Sequence, residues 1–112
     1  MKASINEKEN EIKFFPESIE DLFYAKKIIN PADRLRGATE RSFRPPGSKR
    51  IERKKIFVEI EVEKVEFHKH ANELRATGKI LLGPEDVKIG SYQTIEILPF
   101  HEYVLKKEKI TY

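Results

Sequence analysis

The sequence predicts a mainly β protein with one helix, its strands bent enough to close a small barrel. Three observations carry that reading. Residues 56–67 (IFVEIEVEKVEF) hold the longest alternation of the chain, Ile56, Val58, Ile60 and Val62 against Phe57, Glu59, Glu61 and Glu63, the period of a half-buried strand rich in β-branched residues. The alternation slips by one residue at Lys64, after which Val65 and Phe67 take the inward places. Such a slip inside a long strand is a β-bulge, and bulges bend strands towards closure. Helical periodicity is confined to the segment that opens at Ser18, where Ile19, Leu22, Ala25 and Ile29 trace an apolar face with Phe23 and Ile28 at its margins.

In chain order, residues 1–15 read as a hairpin, with a turn over 6–10 and EIKFF (11–15) returning. Pro16 breaks the sheet, and Ser18 caps the helix with Asp21 three residues on, a capping-box-like arrangement. Glu17, Glu20 and Asp21 at its start and Lys26 and Lys27 near its end complement the helix dipole. Pro31 stops it. Residues 33–42 (DRLRGATERS) are extended, with Leu35, Ala38 and Thr39 as inward positions and Gly37 marking a kink. A basic loop, 43–53, follows and leads into the long strand. HKHAN (68–72) is a polar connection. In 73–82, Leu74, Ala76, Gly78 and Ile80 face one way, the small pair suiting a tight interior. GPED (83–86) is turn chemistry. Gln93, Ile95 and Ile97 are in phase in the next strand, Pro99 ends it, and Tyr103 and Leu105 mark the last.

At 112 residues the chain is read as a single domain, 1–112. Charged residues make up 37%, against about 25% in typical domains, and Lys and Glu abundance points to a thermophilic source. The absence of cysteine excludes a disulfide framework, a thiolate nucleophile and a cysteine-based zinc site. No apolar run reaches the roughly 18 residues of a membrane helix, and the first residues lack a signal-peptide core. The expectation is a soluble, cytoplasmic protein.

The net charge of +3 is unevenly placed. Residues 34–55 carry nine basic side chains against two acidic ones, whereas the remainder carries thirteen against seventeen. One fifth of the chain thus holds all the positive excess, which points to a polyanionic partner. The candidate RNA-binding residues are Arg41, Phe43, Arg44, Lys49, Arg50, Arg53, Lys54 and Lys55, arranged around Pro45-Pro46-Gly47. Arginines offer bidentate phosphate contacts, lysines act as point charges, and Phe43 is the one aromatic available for stacking. Catalytic chemistry has weaker candidates. Phosphodiester cleavage needs a general base or converging carboxylates around a metal; Glu40 and Glu52, with Glu59 and Glu61 behind them and Arg41 or Arg53 to steady the phosphate, are what the sequence offers. Glu59, Glu61 and Glu63 are spaced about 6.6–7 Å apart along a strand and have no histidine beside them. His68, His70 and the distant His101 lack a defined third ligand. No metal site and no cofactor is therefore assigned. A divalent metal enters only with the endoribonuclease alternative.

Residues 64–99, with SIEDLFYAKKIINPAD (18–33), resemble the N-terminal domain of the Pelota family, ribosome-rescue and mRNA-surveillance relatives of class I release factors. The stretches that carry the likeness are KVEF, NELR, GKILLGPE and GSYQTI, in that order, and the likeness runs from about Glu11 to Glu108. It implies an Sm-like (SH3-like) bent barrel with one helix. It also implies a role in no-go and non-stop decay, with the loop 43–53 entering the decoding site of a stalled ribosome, next to the mRNA path. The alternative it implies is a metal-dependent endoribonuclease acting on stalled mRNA. The partners implied are the small subunit and mRNA, and a translational GTPase only through central and C-terminal domains not contained in these residues. The lysine-rich last strand opposes ring assembly, so a monomer is expected. Three stretches depart from the family pattern: its Gly-Ser-His-His-Thr-Ile reads Gly90-Ser91-Tyr92-Gln93-Thr94-Ile95 here, and its two Gly-Asp pairs read Ala32-Asp33 and Phe100-His101.

Overall fold

The computed structural model describes residues 1–108, apart from the side chain of Lys69. Seven strands form one antiparallel sheet: β1 (Lys2–Asn6), β2 (Glu11–Phe15), β3 (Arg34–Phe43), β4 (Glu52–His68), β5 (Glu73–Leu82), β6 (Tyr92–Ile97) and β7 (Tyr103–Lys106), in the order β1-β2-β7-β3-β4-β5-β6. The helix α1 (Ile19–Ile28) packs on β4 and β5. A 3-10 turn, Lys69–Ala71, joins β4 to β5. Mainly β with one helix is thus the observed architecture.

The alternating patterns become one core. Ile56, Val58, Ile60 and Val62 of β4 meet Leu74, Ala76 and Ile80 of β5, Ile95 and Ile97 of β6, and Tyr103 and Leu105 of β7, all buried. On β3, Leu35 and Thr39 point inwards while Ala38 is half-buried. The bulge lies where the alternation slips: Val62 faces Gly78 and Lys64 faces Thr77, leaving Glu63 as the extra residue. A second shift, which the alternation does not announce, leaves Leu81 extra on β5 between the pairs Glu59–Leu82 and Ile60–Ile80. At the bend the strands press so closely that a Cβ on Gly78 would lie 1.8 Å from the Glu61 carbonyl oxygen. The backbone approach requires glycine there.

Ser18 caps α1, its Oγ accepting from the Asp21 N–H at 3.3 Å. Asp21 reaches one residue beyond a capping box: its carboxylate accepts from the Glu17 N–H at 2.8 Å. Leu22, Ala25 and Ile29 are buried, but Ile19 is exposed. At 100° per residue, Ile19 falls roughly 90° from the centre of that stripe. After the helix, Ala32 donates to Val62 O and Val62 donates back to Asp33 O, both at 2.8 Å. The Asp33 carboxylate accepts from the Asn30 N–H at 2.9 Å and pairs with Lys107 at 2.5 Å. Ala32 (φ +75°) and Phe100 (φ +65°) hold left-handed backbone. These are the two places where the family pattern carries glycine.

β3 pairs with β7 only over Arg34–Arg36. Beyond that point its free edge turns towards β6, and side chains close the gap. Thr39 Oγ1 donates to Thr94 O at 2.8 Å, and Gln93 Nε2 donates to Glu40 O at 3.1 Å. The barrel therefore closes through a clasp of side chains rather than a backbone ladder.

Candidate nucleic-acid interface

The basic segment is a β-hairpin more than a loop. β3 and β4 stay paired out to Phe43–Glu52, so only residues 44–51 connect them. At the tip, Ser48 N–H donates to Pro45 O at 3.0 Å and Gly47 has φ +76°. Proline followed by a positive-φ glycine, with that bond across them, is the chemistry of a type II turn. Arg50 N–H donates to Ser48 Oγ at 3.1 Å. Strand pairing carries the charge clear of the body, in a molecule 51 Å long and 20 Å thin.

Register sorts the side chains into two faces, because directly opposed residues share a side. Arg41 and Lys54 lie on one face with Phe43 and Glu52; Glu40 and Lys55 lie on the other with Ser42 and Arg53. On the first face the Lys54 ammonium stands 5.9 Å from the Phe43 ring centre and 3.0 Å from Asp86. That lysine holds the Asp86 carboxyl below its usual range. On the second face Arg53 pairs with Glu40 at 3.1 Å, both side chains well exposed. Exposed pairs of this kind are worth little and open readily. Arg44, Lys49, Arg50 and Lys55 are exposed, and their side chains make no hydrogen bond or ion pair among the described residues.

Arg41 is placed differently. Its guanidinium donates to Gln93 Oε1 at 2.9 Å, Tyr92 O at 3.2 Å and Ser91 Oγ at 3.3 Å. It braces the arm's root against β6, and its donors are largely occupied. The bracing partners Ser91 and Gln93 carry no charge, so charge counting passes over them. The signal that singles them out is the departure at Tyr92-Gln93 from the family's histidines.

The carboxylates do not converge. Glu40 and Glu52 stand on opposite faces of the hairpin and three register positions apart, about 10 Å along the strands. Glu59 is buried against Arg36 at 3.1 Å. Among the described residues, no three His, Cys, Asp or Glu side chains cluster in a way that could hold a metal ion. Among the described residues no helix is long and apolar enough to cross a membrane.

The model of the Pelota N-terminal domain matches residues 1–111. A protein pelota homolog of Methanococcus maripaludis is 40% identical over 102 residues, which is 88% of this chain and 29% of that protein. One from Pyrobaculum calidifontis is 37% identical over 111 residues, 97% of this chain and 33% of its own length. Among solved structures, an archaeal Pelota described as ribosome-bound together with ABCE1 superposes with a TM-score of 0.78 at 29% identity, over 99% of this chain and 33% of that one. The chain thus spans about three tenths of the length of the relatives it matches. Matching the family's N-terminal model over nearly every residue, the chain belongs to the Pelota family.

Proposed function

We propose that these 112 residues form one Pelota N-terminal domain that binds RNA on the ribosome, with the β3–β4 arm as the inserted part. In this reading the domain serves mRNA surveillance in the cytoplasm, in no-go and non-stop decay and stalled-ribosome rescue. The arm, residues 43–53, enters the decoding site of the small subunit beside the mRNA. One observation carries this: Arg44, Lys49, Arg50 and Lys55 extend from a paired hairpin with no acidic partner among the described residues. The solved relative described as ribosome-bound supports the choice of polyanion. Cations held away from counter-charges gain most from phosphates, because each contact releases a condensed counterion. Four to six contacts on single-stranded RNA would give a salt slope of about −0.7 per phosphate. With Phe43 the arm's one aromatic, sequence preference is expected to be low.

The test is charge reversal where no internal partner is lost. The triple change Arg44→Glu, Lys49→Glu and Arg50→Glu should remove binding to small subunits and to single-stranded RNA at moderate salt while leaving the melting midpoint within a degree or two. Unchanged binding in that variant would take the arm out of the interface. The endoribonuclease reading draws no support from the separated carboxylates. A time course on structured RNA with magnesium or manganese, comparing the unaltered domain with Glu40→Gln and Glu52→Gln, decides it.

A further inference from the structure

Tyr92 lies where β6 begins, outside the basic segment, and is 57% exposed. Its surroundings are charged, and its backbone is tied to the arm. The Lys79 ammonium stands over the ring, 5.9 Å from its centre, and Lys79 is its directly opposed neighbour on β5. The Glu63 carboxylate, on the residue extruded by the bulge, raises the pKa of the hydroxyl. The backbone carbonyl accepts from Arg41 at 3.2 Å. Ile80 also ties the preceding residues down, donating to Ser91 O and accepting from the Gly90 N–H. The ring is therefore large and solvent-facing at the root of a cationic arm, with Lys79 over it and Glu63 as the acidic group acting on its hydroxyl.

We infer that Tyr92 is a stacking platform for one unpaired base of a single-stranded RNA whose phosphates run along the β3–β4 arm. The inference rests on the arm being the RNA-binding element. Arg41, on β3, donates to the Tyr92 carbonyl at the start of β6, so Tyr92 adjoins the arm's root. An exposed ring offers a base its free face, and stacking tolerates any base because each has a π-face. Lys79 supplies positive charge at the same point, offsetting Glu63. Phe43 at the outer end of the same hairpin is likewise backed by a lysine, Lys54. The path thus carries two aromatic rings, each with a lysine against it.

The experiment is a fluorescence-anisotropy titration with a labelled oligouridylate and with an abasic strand of the same length and charge. The domain is compared with Tyr92→Ala, Tyr92→Leu, Tyr92→Phe and the arm triple variant. A lost stack of 1–3 kcal/mol corresponds to roughly 5- to 150-fold weaker binding. Tyr92→Ala and Tyr92→Leu should weaken oligouridylate binding within that range at unchanged salt slope, whereas Tyr92→Phe should retain it. On the abasic strand all three should equal the unaltered domain. Equal oligouridylate binding by Tyr92→Ala, with binding lost in the arm triple variant, overturns the platform and leaves the arm standing. No oligouridylate binding by the unaltered domain, or none that the arm triple variant weakens, overturns both. Leu preserves apolar bulk at an exposed site, so a loss shared by Ala and Leu but not Phe reports the π-face rather than folding.

Discussion

Arginine does opposite work in the barrel body and at the tip of the β3–β4 arm. Near the start of β3, Arg36 grips Glu59, which is 6% exposed, at 3.1 Å on the barrel wall, and at the root of the arm Arg41 is divided among three acceptors of the β6 end. A few residues on, Arg44 and Arg50 carry the same group into solvent with no partner among the described residues. The body satisfies its polar groups: no buried side-chain nitrogen or oxygen among the described residues lacks a partner. The arm leaves Arg44, Lys49, Arg50 and Lys55 without a partner among the described residues. A charge already paired contributes to folding and little to binding, while an unpaired one contributes nothing to folding and stays available for phosphate. Location in the register, not residue type, separates the two roles.

The hardest blow to the body is Gly78→Ala. With the Glu61 carbonyl 1.8 Å from the new Cβ, neither backbone can yield without opening the bend, and the cost should be about 3 kcal/mol or more. Calorimetry should show a large fall in melting temperature. Next comes the same substitution at two sites. Arg41→Met removes three charge-assisted bonds and should destabilise by about 1–3 kcal/mol. Arg50→Met should leave the midpoint unchanged and weaken RNA binding. Equal melting temperatures for the two variants would erase the distinction between brace and arm.

A smaller effect of opposite sign is expected at Ala32. Left-handed backbone costs a residue with a Cβ about 1–2 kcal/mol, and the extra freedom of glycine in the unfolded chain returns about 0.4–1 kcal/mol of that. Ala32→Gly should therefore stabilise by roughly 0.5–1 kcal/mol, with the Ala32–Val62 bond kept. Phe100→Gly should gain less, because its ring also packs edge-on against Phe15 at 6.4 Å.

The pattern of β4, its bulge, the inward set of β5 and the helix cap were all legible, because each depends on residues near in sequence. The basic segment was legible from charge alone. Its hairpin form was hidden for the same reason, since Glu40, Arg41, Arg53, Lys54 and Lys55 break the apolar alternation that announces strands; their pairing is imposed by the β3–β4 register further in. The clasp from Arg41 to Ser91, Tyr92 and Gln93 was not legible, since it joins residues about fifty apart whose meeting depends on the curvature of the whole sheet. The same holds for Asp33 with Lys107, and for the Tyr103 hydroxyl, which donates to Glu96 O at 2.9 Å and accepts from Leu98 N–H at 3.0 Å. Burial pushes that hydroxyl's pKa up, as a core position should.

The least conspicuous test uses acid. Asp21, on the body, accepts the Glu17 N–H and also faces the Met1 ammonium at 3.1 Å and Ser18; these hold its carboxyl below the ordinary 3.8. Asp86, facing the arm, is held below 3.8 first by its hydrogen bond from Lys54. For a carboxylate depressed on folding, the stabilisation is complete above the unfolded value and is lost as pH falls through the lower folded one. The melting-temperature difference between the unaltered domain and Asp21→Asn should then be flat above about pH 5 and shrink below pH 4. Asp86→Asn should hardly move the midpoint at any pH, because an exposed pair contributes little, but it releases Lys54. RNA binding by the unaltered domain should therefore strengthen slightly on acidification below pH 4, and Asp86→Asn should show the stronger binding already at neutral pH. If Asp86→Asn instead lowered the melting temperature as Asp21→Asn does, Lys54 would belong with the braced cations of the body and the arm would begin one residue pair further out.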